Sequence, residues 1–99
     1  MKVLVTGAAM GMGRLFTERA IAEHAAAVVL WDIDESALNA TLTELAGGTT
    51  EVCGWVVDVS DAAAVAATAA AVLDEIGPID VLVNNAGVVR GNRYFWETD

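Results

Sequence analysis

Three glycines set the chemistry this chain can do. They follow the short apolar run Lys2 to Val5 in the order Thr6-Gly7-Ala8-Ala9-Met10-Gly11-Met12-Gly13. Glycine has no Cβ, so such a loop turns tightly and lets a ligand approach the main chain closely. A helix opening straight after it points unpaired N–H groups and the positive end of its dipole at that ligand, which suits a diphosphate. The spacing G-x-x-x-G-x-G differs from the G-x-G-x-x-G dinucleotide fingerprint, but the mechanics are shared. A purely structural glycine turn is the plainer alternative, so other positions must decide.

Three other positions point the same way. Asp32 stands 19 positions beyond Gly13, close to the roughly 20-residue offset of an acid that accepts hydrogen bonds from adenosine ribose hydroxyls. A ribose 2′-phosphate would meet like charge there, and neither Met10 nor Ile33 offers a cation to hold it. Asp58-Val59 follows another apolar run, with the carboxylate placed for an adenine amino group and the Val59 main chain beside the ring; an ordinary strand-end cap before Ser60 is the alternative. Asn84-Asn85-Ala86-Gly87 closes a fourth apolar run. Small residues there leave room for a sugar, although Asn and Gly also suit plain turns.

The elements that must position these groups alternate strand and helix. Arg14 to His24 places Leu15, Phe16, Ala20 and Ile21 at helical spacing and predicts a first helix. His24 near its end reads as a surface residue favoured by the helix dipole, with no catalytic part. Ala26 to Trp31 is continuously apolar, as in a strand covered on both faces. Asp34 to Ala46 carries Leu38, Leu42 and Leu45 on one face and ends at Gly47-Gly48, a second helix. Glu51 to Asp58 reads as the third strand, and Ser60 as the N-cap of an alanine-rich third helix with Val65, Val72 and Leu73 on its apolar face. Gly77-Pro78 breaks that helix before a fourth strand, Ile79 to Asn84. The order β-α-β-α-β-α-β predicts an α/β fold, a doubly wound parallel sheet of the Rossmann kind with strand order 3-2-1-4. In such a sheet ligands lie beyond the carboxyl ends of the strands, where all four motifs fall.

Composition narrows the partners. The 99 residues, 56% of them hydrophobic, suit one small domain or part of one. A net charge of −9 argues against nucleic acid and acidic membrane surfaces. No apolar run reaches the roughly 20 residues of a membrane span. The single cysteine, Cys53, forms no internal disulfide, and the expected setting is cytoplasmic and reducing.

Thr6-Gly-Ala-Ala-Met-Gly-Met-Gly resembles the T-G-x-x-x-G-x-G loop of the short-chain dehydrogenase/reductase family, and Asn84-Asn85-Ala86-Gly87 matches its N-N-A-G signature. Asp58-Val59 looks like its adenine-contacting pair. Met12 stands where the family usually has isoleucine or leucine. The resemblance covers essentially the whole chain, residues 1–99, read as a dinucleotide-binding domain. It implies NAD(P)-dependent interconversion of alcohols and carbonyls by hydride transfer, and Asp32 without a nearby cation favours NAD over NADP. Gly7, Gly11, Met12 and Gly13 would line the diphosphate side, Asp32 and Ile33 the adenosine ribose, Asp58 and Val59 the adenine. Asn85, Ala86 and Gly87 would border the second ribose, while Asn84 ties the central strands. The implied partners are a small-molecule alcohol or carbonyl and further copies of the chain in a dimer or tetramer.

The family's catalytic serine and Tyr-x-x-x-Lys pair lie downstream of N-N-A-G. Here the only tyrosine is Tyr94, with no lysine four residues on, and the only lysine is Lys2. Tyr94, Phe95 and Trp96 read as a packing or interface cluster. Glu97-Thr98-Asp99 resembles the opening of the family's next helix. The expectation is an N-terminal cofactor-binding part that ends before the catalytic half. From another class comes the alternative of a non-catalytic dinucleotide-binding module for redox sensing or association.

Overall fold

The computed structural model describes residues 1–9 and 11–85. Its elements are β1 (Lys2–Thr6), α1 (Gly11–Ala22), β2 (Ala27–Asp32), α2 (Glu35–Leu45), β3 (Glu51–Val56), α3 (Ala62–Glu75) and β4 (Val81–Asn84). The strands form one parallel sheet in the order β3-β2-β1-β4, as the alternation of elements predicts. Parallel neighbours need crossovers, and each crossover here is a helix.

Two cores lie on opposite faces of the sheet. Val3 and Val5 of β1 pack with Val28 and Leu30 of β2, Ala20 of α1 and Leu38 of α2. The alternate residues Leu4, Val29 and Trp31 pack with Val57, Val59 and the α3 residues Val65 and Val72. β2 is buried throughout its length, which is why its sequence is an unbroken apolar run. β4 is more open: Val81 is 38% and Leu82 44% exposed. Between α3 and the sheet runs an apolar groove of about 320 Å³, lined in part by Leu4, Trp31, Ala69, Ile79 and Leu82.

α1 keeps Ala20 and Ile21 of the expected face on the core but turns Leu15 and Phe16 outward. It begins at Gly11 and buries Gly13, Thr17 and Ala20, while Leu15 is 57% and Phe16 38% exposed. The buried stripe is spaced i, i+4, i+7 and made of small residues, so the helix sits close to the sheet. Thr17 supports it by donating its hydroxyl to the Gly13 carbonyl at 2.9 Å. Hydropathy points to the bulkier neighbours, but close packing selects the smaller ones. α1 ends in a Schellman arrangement, with His24 N–H on the Ile21 carbonyl, Ala25 N–H on that of Ala20 and His24 at φ 64°.

α3 is capped by Asp61, not by Ser60: the Asp61 carboxylate accepts from the Ala64 N–H at 3.1 Å. The Ser60 hydroxyl donates instead to Asp58 at 2.6 Å. Leu73 is 60% exposed, while Val65 and Val72 are the buried residues of α3. The end of α3 is held by Lys2, whose ammonium donates to the Ile76 carbonyl. β4 is tied to the chain start through the Lys2 N–H on the Asp80 carboxylate at 2.8 Å.

Candidate functional site

The carboxyl ends of the strands bring the loop after β1, Asp32, Asp58 and Asn85 to one edge of the sheet. Gly7 sits at φ 62° and Gly11 at φ 53°, a region side chains disfavour. Gly13 is required by proximity. A Cβ there would lie 1.9 Å from the Gly7 carbonyl oxygen and 2.9 Å from Asn85 Nδ2. The start of α1 therefore rests directly on the loop that precedes it. A Cβ at Gly11 would meet nothing within 4 Å, so among the described residues the helix start is uncovered. The first turn of α1 holds no acidic residue to neutralise its dipole. Glycine main chain and an uncovered, uncompensated helix N-terminus together fit a diphosphate.

Asn85 braces this loop from β4. Its main-chain N–H donates to the Thr6 hydroxyl at 2.9 Å and its side-chain amide to the Gly7 carbonyl at 3.4 Å. The Thr6 hydroxyl donates in turn to Asn84 Oδ1 at 3.1 Å, which joins β1 to β4 as expected of Asn84. Ala86 and Gly87, like Met10 and the Tyr94-Phe95-Trp96 cluster, lie outside the described residues.

Asp32 ends β2 and is only 7% exposed. One carboxylate oxygen accepts from the Ala9 N–H at 3.0 Å and the other from the Asp34 N–H at 2.9 Å. Ile33 beside it is 64% exposed and Met12 across the loop 56%, so both present apolar surface at the rim. Asp58 is exposed, and one of its oxygens accepts from both the Ser60 N–H and hydroxyl. The hydroxyl first and the N–H second hold its carboxyl below the usual carboxylate range. Val59 turns its side chain into the core, which leaves only its main chain for a ligand. Sequence reasoning missed the Ala9 N–H and the Thr6 hydroxyl as the joints of the loop. A main-chain donor has no side-chain signature to find.

The lysine and the two arginines of the described residues make contacts of their own. Arg14 bridges α1 to α2, on Glu44 at 2.7 Å and Glu18 at 2.7 Å, and Arg19 pairs with Glu23. Lys2 sits at the end of α3. Burial first, then Glu51 and Glu75, pushes the Cys53 thiol up to about 11, away from any nucleophilic use.

A doubly wound parallel sheet with a glycine loop after its first strand and an acid ending its second defines the class of nucleotide-binding α/β folds. Residues 1–99 match the family described as short chain dehydrogenase, and the chain belongs to it as the N-terminal cofactor-binding part. Among curated proteins it is 44% identical over 87 residues to (2S)-[(R)-hydroxy(phenyl)methyl]succinyl-CoA dehydrogenase subunit BbsD of Thauera aromatica, covering 88% of this chain and 35% of that protein. It is 40% identical over 97 residues to human (Homo sapiens) estradiol 17-beta-dehydrogenase 11, covering 98% of this chain and 32% of that one. A tryptophan variant of actinorhodin polyketide ketoreductase solved with NADPH superposes with a TM-score of 0.80 at 39% identity, over 89% of this chain and 33% of that one. NAD+-bound xylitol dehydrogenase superposes with 0.77 at 36%, over 88% and 33%. The chain thus spans about a third of the length of these relatives.

Proposed function

We propose that this chain is the NAD-binding part of an oxidoreductase that interconverts a small-molecule alcohol and carbonyl, working as a homo-oligomer. The observation that carries the reading is the convergence of the Gly7–Gly13 contact with the nearly buried Asp32 at one sheet edge. When bound, the nicotinamide supplies the hydride donor or acceptor. This chain's residues do the holding. Gly7, Gly11, Met12 and Gly13 line the diphosphate side, with the α1 N-terminus facing its charge. Asp32 accepts from the adenosine ribose, with Ile33 at its edge, and Asp58 and the Val59 main chain meet the adenine. Asn85 fixes the Gly7 carbonyl next to the second ribose, and Ala86 and Gly87 continue that border. Hydride transfer to a carbonyl also needs an acid at the substrate oxygen. In this reading the serine and Tyr-x-x-x-Lys that supply it lie beyond residue 99.

The NAD preference rests on charge. Asp32 repels a 2′-phosphate, and Lys2, Arg14 and Arg19 make contacts of their own. Relatives solved with NADPH and with NAD+ make the distinction a matter of local residues rather than of fold. Titrating both cofactors against the intact protein, the longest polypeptide its reading frame encodes, tests it. NAD(H) binds more tightly, and Asp32→Ala narrows the gap; equal affinities in the wild type sink the reading. Sequencing past Asp99 tests the enzyme assignment, which fails if no Tyr-x-x-x-Lys follows.

A further inference from the structure

The glycine loop is tied to the end of β2 by the chain's own groups. The Ala8 N–H donates to the Trp31 carbonyl at 3.3 Å, and the Ala9 N–H to Asp32 Oδ2 at 3.0 Å. The second Asp32 oxygen takes the Asp34 N–H at 2.9 Å, and the Asp32 carbonyl takes the Val57 N–H at 3.0 Å. Asp32 is thereby fixed at both ends, and its carboxylate reaches back across 23 residues of sequence to the loop. A group serving only a sugar would turn its oxygens outward, whereas this one is 93% buried with an oxygen on the loop.

We propose that Asp32 is a positioning residue for the diphosphate-facing loop, separately from any contact it makes with ribose. A loop with left-handed glycines at 7 and 11 has many conformations open to it. The carboxylate selects the one in which Ala9 is pulled toward β2 and Gly7 lies under α1. Each oxygen accepts one N–H here, and a carboxylate has about four lone-pair sites, so a ribose hydroxyl is accommodated as well. Ligand affinity scales with the fraction of protein in the competent state. A hydrogen bond to a charged acceptor, converted to populations, shifts that fraction by about tenfold to a hundredfold.

The ligand consequence rests on the dinucleotide reading, so the experiment separates the two. NAD and an NAD analogue whose adenosine ribose lacks both hydroxyls are titrated against the intact wild type and Asp32→Ala. If Asp32 acts as clasp, Asp32→Ala weakens the analogue by about tenfold or more, although the analogue offers no hydroxyl to lose. Unchanged analogue affinity overturns the proposal. In the ligand-free proteins, exchange of the Ala9 amide is compared with that of Leu30 in β2. Expected is faster exchange at Ala9 alone; equal loss at both sites means general destabilisation and overturns it too. Where Asp32→Ala fails to fold, Asp32→Asn removes the charge at nearly constant shape and gives a smaller loss in the same direction; no change at Ala9 overturns the clasp. A wild type that binds no dinucleotide refutes the proposed function, and the amide comparison still decides this inference.

Discussion

Adding one methyl group at Gly13 probes the loop most directly. In Gly13→Ala the new Cβ would stand 1.9 Å from the Gly7 oxygen and 2.7 Å from its carbonyl carbon. Real Cβ atoms essentially never approach closer than 3.0 Å, so the loop and the start of α1 must part by about 1 Å. Both sides of the contact are backbone, and no rotamer change can relieve it. The cost therefore falls at the upper end of overpacking, about 3 kcal/mol, against a total stability of about 5–15 kcal/mol. Parting also pulls the Gly7 carbonyl from Asn85, a contact of 3.4 Å. In an intact protein of about 150–250 residues melting falls by roughly 6–12 °C, and dinucleotide binding is lost while the variant stays folded below its transition. Two controls sharpen the result. Gly11→Ala meets nothing within 4 Å but keeps φ +53°, at about 1–2 kcal/mol. Gly48→Ala meets nothing and has no left-handed φ, so it changes stability by about 0.5 kcal/mol or less. Thermal melting and cofactor titration of the three variants should rank them 13, 11, 48. A Gly13→Ala protein that melts and binds like wild type would refute the packing argument.

Three further outcomes are expected. His24→Gly stabilises the protein by about 1 kcal/mol in chemical denaturation, because the C-terminus of α1 holds this residue at φ 64°; a loss of stability counts against the Schellman reading. Cys53 is inert to alkylation near neutral pH and reacts faster as pH climbs toward about 11. Its raised pKa stabilises the folded state relative to the ionised thiol below the ordinary value of 9.0, and that contribution drains away as pH rises from there toward about 11; rapid labelling at pH 7 contradicts it. Residues 1–99 expressed alone self-associate and turn over no alcohol, since Val81 and Leu82 are exposed beside an apolar groove of about 320 Å³. Sedimentation of a monodisperse monomer refutes that.

Strand order was legible because β1 and β2 carry unbroken apolar runs and each crossover is punctuated by glycine or an acid. The gathering of the four motifs at one edge followed, since strand ends in such a sheet share an edge. Packing at α1 was not legible. Leu15 and Phe16 outweigh Thr17 on any hydropathy scale, yet the approach of Gly13 to Gly7 brings the small Gly13 and Thr17 inward, while Ala20 and Ile21 pack as the periodicity predicts. The cap of α3 was misread by one position because Ser60 and Asp61 both suit it. Asp58 decides between them by engaging the serine hydroxyl. The double engagement of Asp32 was also hidden, for its partners are main-chain N–H groups.

The place of β4 beside β1 sets a clock on the site. β1 pairs with Ala27–Trp31 on one side and only with residues 81–84 on the other, and the bonds from Thr6 to Asn84 and from Asn85 to Gly7 each span 78 residues. The β1-β2-β3 part is complete in sequence at Val56. At about 5–20 residues per second, the ribosome needs roughly 1.5–6 s more to reach Asn85. Until then the brace that β4 gives the glycine loop cannot form. Contacts of such long range also carry the largest loop-closure entropy. Cofactor binding therefore depends on the last strand to be made, whose Asn84 and Asn85 brace the glycine loop.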